Sequence, residues 1–154
     1  APAGRIAVVP NGVDFAALAA SAEPAALRGE LEIPPEAPLV AYVGKDSRVK
    51  NVPRPVEVVR RALGARPELR AVFAGGGLDE EARGRLAPDL APDRLRLLGP
   101  RRDVPSILAA ADALLLTSDS EGCPNVVIEA LGLGTPVVSA DVGDVAAIVL
   151  LLGW

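Results

Sequence analysis

Short apolar, often β-branched runs alternate with longer helical patterns along this chain, and no other feature restricts its fold as tightly. The runs lie at Ile6 to Val9, Leu39 to Val43, Leu69 to Ala74, Leu95 to Leu98, Ala113 to Thr117 and Pro136 to Ala140, each about strand length. Helical patterns occupy Val52 to Ala65, Asp79 to Leu86, Val104 to Ala111 and Asn125 to Leu131, with Asp103 as an N-cap for the third. This alternation predicts an α/β fold: a doubly wound, mostly parallel sheet with helices on both faces. At 154 residues, 50% of them hydrophobic, the chain can enclose one core, so residues 1–154 are expected to form a single domain.

Composition removes several classes of function. A net charge of −4 and 3% aromatic residues give neither a basic stripe nor stacking platforms, so no nucleic acid partner is expected. The chain holds one cysteine, Cys123, and no histidine, so it can form neither an internal disulfide nor a Cys/His metal set. No Asp-x-Asp occurs to hold Mg²⁺, and no metal site is expected. Catalytic pairs that need histidine are excluded unless another subunit provides it. The longest strongly apolar run, Val145 to Leu152, falls far short of the roughly 20 residues of a membrane span. With no transmembrane segment and a lone cysteine, a cytoplasmic setting is expected.

In a doubly wound sheet, ligands bind beyond the carboxyl ends of the strands. The strand at Leu39 to Val43 runs into Gly44-Lys45-Asp46-Ser47-Arg48-Val49-Lys50-Asn51, and the strand at Leu69 to Ala74 into Gly75-Gly76-Gly77. The strand at Leu95 to Leu98 runs into Gly99-Pro100-Arg101-Arg102, and the strand at Ala113 to Thr117 into Asp119-Ser120-Glu121-Gly122-Cys123-Pro124. All four segments are expected at one edge of the sheet. Lys45 and Lys50 can neutralise a diphosphate as point charges, while Gly44 and the glycine triplet let backbone approach a ligand. Pro124 suits the first helical position, and the amides of Asn125 and Val126 would then point from a helix N-terminus toward an anion. Glu121 in the loop and Glu129 about two turns into the helix would flank that anion and accept hydrogen bonds from sugar or ribose hydroxyls. Plain readings stand beside these: solvated lysines, a solvated Glu121, Glu129 as a helix former, Cys123 as a small packed residue, and the glycines as a tight turn. The triplet does not continue to Gly-x-Gly-x-x-Gly, since position 80 is Glu80, and no Gly-Lys-Ser/Thr P-loop ending occurs. A flavodoxin-like receiver shares the alternation but needs acidic strand ends, where this chain has Gly, Lys and Thr117-Ser118.

Taken in order, these segments resemble the carboxy-terminal donor-binding domain of GT-B glycosyltransferases, specifically the large retaining family 4 group. The resemblance runs from about Val8 to Val149 and rests on several segments of this chain. These are Val9-Pro10-Asn11-Gly12-Val13-Asp14, Val43-Gly44-Lys45 with Lys50-Asn51, Phe73-Ala74-Gly75-Gly76-Gly77 and Leu97 to Val104. Glu121 and Glu129 match the family's Glu-x7-Glu motif, followed by Gly134-Thr135-Pro136-Val137-Val138. The resemblance implies a Rossmann-like half of a GT-B fold that binds a nucleoside-diphosphate sugar, UDP- or GDP-linked, with no cofactor and no metal. It implies that Glu129 binds the ribose, Glu121 the donor sugar, and Lys45 and Lys50 the diphosphate, with help from amides after Gly122. The base would lie against backbone near Leu98 and Gly99.

Some positions depart from the family pattern. Lys45 stands where the family more often has arginine, losing a two-pronged donor. Gly143-Asp144 replaces a more usual Gly-Gly in a loop near the donor sugar. The resemblance also implies that the amino-terminal, acceptor-binding domain lies outside this chain and that the carboxyl end is abbreviated. The apolar tail at Leu150 to Trp154 is then expected to pack on the sheet or on another copy of the chain. The function expected is the donor half of a retaining glycosyltransferase, inactive alone and partnered by the missing domain or another subunit. A non-catalytic nucleotide-binding or interaction module, or another GT-B enzyme such as a nucleotide-sugar epimerase, are the alternatives.

Overall fold

The three central strands of the sheet bury side chains on both faces, the pattern that a parallel sheet covered by helices imposes. A computed structural model describes residue 9 and residues 11–153. The expected strand at Ile6 to Val9 falls, except for Val9, outside the described residues, as do Pro10 and Trp154. Five strands form the sheet: β1 (Leu39–Val43), β2 (Arg70–Ala74), β3 (Leu95–Leu97), β4 (Ala113–Leu116) and β5 (Val137–Ser139). Their order is β3-β2-β1-β4-β5 and every pairing is parallel. The order reverses between β1 and β4, so the crevice of a doubly wound fold opens beyond the ends of those two strands.

Alternation along the strands sorts the core. Tyr42, Ala71, Phe73 and Leu115 face α3 (Pro53–Ala65) and α4 (Arg83–Leu86), with Val56, Val59, Leu63 and Leu86 beneath the helices. On the other face Leu39, Ala41, Val72 and Ala74 meet α2 (Pro24–Glu30) and α5 (Val104–Ala110). Leu114 and Leu116 on that same face meet α6 (Asn125–Gly132) and α7 (Val145–Leu151). Tyr42 and Phe73 lie side by side with ring centroids 5.0 Å apart. Truncating such a ring to alanine costs about 3–5 kcal/mol, so this aromatic pair is a principal anchor of the α3 face.

The expected strands and helices from Leu39 onward appear with ends shifted by a residue or two, which is the usual imprecision of element boundaries. The pattern at Asp79 to Leu86 becomes a short 3₁₀ turn, Glu80–Ala82, leading into α4. Asp103 precedes α5 but does not cap it, because Arg101 takes both of its carboxylate oxygens at 2.8 and 2.7 Å. Pro124 precedes α6 rather than opening it, and Glu129 is the fifth residue of the helix, just over one turn in, instead of two. Three helices were not foreseen: α1 (Phe15–Ala20), α2 and α7. Alpha-helix α2 is fastened by Arg28, which donates to the carbonyls of Ala110, Pro34 and Ala37. The carboxyl-terminal apolar run forms α7, which packs through Val145 and Ile148 into the cluster over β4 and α6, while Leu150 and Leu151 face outward. Among the described residues no helix is long and apolar enough to cross a membrane.

Candidate functional site

The four loops at the carboxyl edge of the sheet are laced to one another through their backbones. Gly44 N donates to Ala74 O (2.9 Å) and Asp46 N to Gly76 O (2.7 Å), joining the loop after β1 to that after β2. Gly75 N donates to Gly99 O (2.8 Å) and Gly99 N to Leu78 O (2.7 Å), adding the loop after β3. Glycine is obligatory at position 75: its φ is +148°, and a β-carbon there would stand 2.1 Å from the Gly44 carbonyl oxygen. The resulting cleft has a volume of about 260 Å³ and is lined by Gly44, Lys45, Gly75, Gly76, Pro100 and Arg101, among others. Lys45 is exposed and has no carboxylate partner among the described residues, so its ammonium is available to an anion. Arg101 is already committed to Glu30 and Asp103.

Across the switch point the loop after β1 meets the loop after β4. Lys50 Nζ donates to Glu121 Oε1 at 2.5 Å, and both side chains are largely covered, with 21% and 11% of their surface exposed. A charge-assisted bond shielded to this degree is among the stronger side-chain contacts available. Beside it Asp119 N donates to Val49 O (2.8 Å), and Asn51 and Arg54 bind the Asp119 carboxylate. Three buried hydroxyls at the ends of β1 and β4, on Tyr42, Thr117 and Ser118, have no hydrogen-bond partner among the described residues. Burial first, and then the charges of Glu121 and Asp46, push the Tyr42 phenol up to about 12.

Helix α6 starts behind Glu121 with no side-chain cap, and the amides of Asn125 and Val126 donate to no acceptor among the described residues. These free amides and the helix dipole are suited to an anion. Asn11 steadies this end of the helix, donating to Cys123 O (3.2 Å) and Asn125 Oδ1 (2.8 Å). Glu129 is half-buried and pairs with no cation among the described residues, and desolvation alone holds its carboxyl above the usual range. The loop before α7 supports Gly122 from below: Asp144 N donates to Gly122 O (2.9 Å), and Gly143 has φ +55° with no room for a β-carbon against Gly122 O at 2.3 Å.

The structure therefore places the sequence-predicted residues in three adjoining groups along one edge. Gly44, Lys45, Gly75 and Gly76 line the cleft, Lys50 joins Glu121 at the switch point, and Gly122 to Val126 with Glu129 form the start of α6. The Cys123 and Val126 side chains pack against the apolar cluster under α6, so the backbone amides are what they can offer a ligand, as expected for Val126. Gly99 is buried with both its amide and its carbonyl bonded to the neighbouring loop. The sequence places Gly143 in a loop near the donor sugar and Asn51 beside Lys50, but does not single out Arg54 or Asp119 as working parts of the site. Asn51 carried one signal, being a residue that tolerates left-handed backbone two positions before a proline.

Residues 25–150 match the family described as Glycosyl transferases group 1. The chain belongs to that family. A D-inositol 3-phosphate glycosyltransferase of Mycolicibacterium gilvum is 36% identical over 151 residues, covering 91% of this chain and 32% of the relative. The Anabaena protein Alr3699/HepE, solved in complex with UDP-glucose, is 25% identical with a TM-score of 0.66, over 89% of this chain and 38% of the other. Sucrose-phosphate synthase of Thermosynechococcus elongatus is 26% identical with a TM-score of 0.70, over 92% of this chain and 36% of the other. The chain thus spans about a third of the length of the curated relatives it matches. These matches bear out the glycosyltransferase resemblance and its Rossmann-like α/β half.

Two consequences can be measured. Because Glu129 has a raised folded-state pKa, it adds stability below its unfolded value near 4.3 that is lost as pH rises through the folded value. Glu129→Gln is accordingly expected to raise the melting temperature at pH 7 to 8 and to lose that advantage toward pH 4; thermal melts across that range show whether the sign holds. Gly143→Ala pushes a β-carbon into the Gly122 carbonyl and strains a left-handed backbone, so it is expected to destabilise by about 1–3 kcal/mol in chemical denaturation.

Proposed function

We propose that this chain binds a nucleoside-diphosphate sugar, UDP- or GDP-linked, and acts as the donor half of a glycosyltransferase. One observation carries the reading: at the switch point of the sheet, Lys50 pairs with Glu121 four residues before a helix N-terminus that has no side-chain cap, and the first full turn ends at Glu129, which pairs with no cation among the described residues. Lysine and free amides suit a diphosphate, and two carboxylates at different depths suit hydroxyls of a sugar and a ribose. The family membership and the UDP-glucose bound to the Anabaena protein support the same assignment.

On this reading Lys45 and Lys50 counter the charge that grows on the diphosphate as the sugar departs, a role for fixed charges and dipoles. Glu129 accepts from the ribose, and Glu121 from the transferred sugar. The cleft beside Gly75 and Gly76 lets the nucleotide run along backbone with little steric hindrance. An acceptor-binding half, from the same longer chain or another subunit, would complete the geometry for transfer, which alone can supply roughly 7–11 kcal/mol of barrier lowering. A single free cysteine fits a cytoplasmic setting for such a protein.

Calorimetric titration with UDP, GDP and ADP tests the proposal. One nucleotide is expected to bind, with Lys50→Ala and Glu129→Ala each weakening it about 10- to 100-fold through loss of a charged hydrogen bond. A folded chain that binds none of the three, or binds one equally well without Lys50 and Glu129, contradicts it.

A further inference from the structure

Two bridges join the loop after β1 to the loop after β4, and they differ in kind. The inner one, Lys50 to Glu121, consists of groups that a diphosphate sugar would claim. The outer one contains no group assigned to the ligand. Its centre is Asp119, whose carboxylate accepts from Asn51 Nδ2 at 3.3 and 3.1 Å and pairs with Arg54 Nη2 at 2.6 Å. Arg54 also donates through Nη1 to Thr117 O at 2.9 Å, and the Asp119 amide donates to Val49 O at 2.8 Å. Asn51 holds a left-handed backbone, φ +44°, which few residue types other than glycine accept and which lets its carboxamide reach Asp119.

We propose that Asp119, gripped by Asn51 and Arg54, is a positioning residue that keeps Lys50 and Glu121 in register while they release each other to hold the donor. This rests on the donor-site reading above. When a diphosphate draws Lys50 away from Glu121, the inner bridge opens, and without a second tie the two loops would be free to separate. Asp119 supplies that tie from outside the ligand site. Its side chain and that of Arg54 are about half exposed, so the pair contributes little to global stability, and its value lies in fixing loop geometry. Asn51 and Asp119 precede or follow the ligand-facing Lys50 and Glu121 by one and two positions, so a small shift at the clamp is passed directly to both.

Asp119→Ala and Arg54→Ala are made in the wild-type chain and in Lys50→Ala, and UDP, GDP and ADP are titrated into each. Because the clamp acts through Lys50, Asp119→Ala is expected to weaken the nucleotide that binds about tenfold in the wild type and less than about twofold in the Lys50→Ala background. Equal weakening in both backgrounds would overturn the positioning role. Hydrogen exchange on the unliganded chain provides a readout that needs no nucleotide. Amides of residues 49–51 and 119–122 are expected to exchange about tenfold faster in Asp119→Ala while those of β1, β2 and β4 are unchanged. Unchanged loop exchange sinks the clamp whatever the nucleotide result. Faster loop exchange in a protein that binds no nucleotide supports the clamp and rejects the donor-site reading instead.

Discussion

Backbone packed directly on backbone at the carboxyl edge of the sheet is the constraint on which the rest of this site depends. The loops after β1, β2 and β3 share main-chain hydrogen bonds through Gly44, Gly75 and Gly99, and the loops after β4 and β5 do so through Gly122 and Asp144. A side chain at Gly75 or Gly143 would drive a β-carbon into a carbonyl oxygen of the neighbouring loop. The parallel sheet supplies the frame, because it delivers all five strand ends to one edge, and the glycines let those ends close up. What results is a floor of oriented peptide groups, at which charges need only be added at a few points.

Those charges are arranged at some cost. Glu129 is half-buried with no cation to pair with among the described residues, and its carboxyl is pushed upward by burial alone. The hydroxyls of Tyr42, Thr117 and Ser118 are buried without partners among the described residues, each worth about 1–3 kcal/mol in lost hydrogen bonding. Elsewhere the carboxylates are well matched: Arg60 holds Glu57 and Asp89, and Arg101 holds Glu30 and Asp103, keeping all four carboxyls below the usual range. Arg94, just before β3, also has buried nitrogens without a partner among the described residues, but the three hydroxyls share the edge where β1 and β4 end, a concentration that fits a site for a polar ligand.

Much of the frame was legible in the sequence because two-sided burial writes itself as short, nearly continuous apolar runs. Leu39 to Val43 and Ala113 to Leu116 are of this kind. The helices that were missed lack such a signal. Helix α1 buries no residue, α2 buries only Leu27, and α7 reads as an apolar tail until Val145 and Ile148 are seen to face α6. At the site, Lys50, Glu121 and Glu129 could be read from spacing and from resemblance. The contacts of Arg54 and Asn51 with Asp119 could not, since they join positions more than sixty residues apart and depend on how β1 and β4 pair.

A crystal structure of the chain with bound UDP is the most direct test of this account. The account predicts the diphosphate between Lys50 and the first amides of α6, the ribose hydroxyls on Glu129, and Lys50 withdrawn from Glu121 while Asp119 still holds Arg54. Nucleotide bound away from this edge, or bound there with the Lys50–Glu121 pair intact and Glu129 untouched, would contradict it.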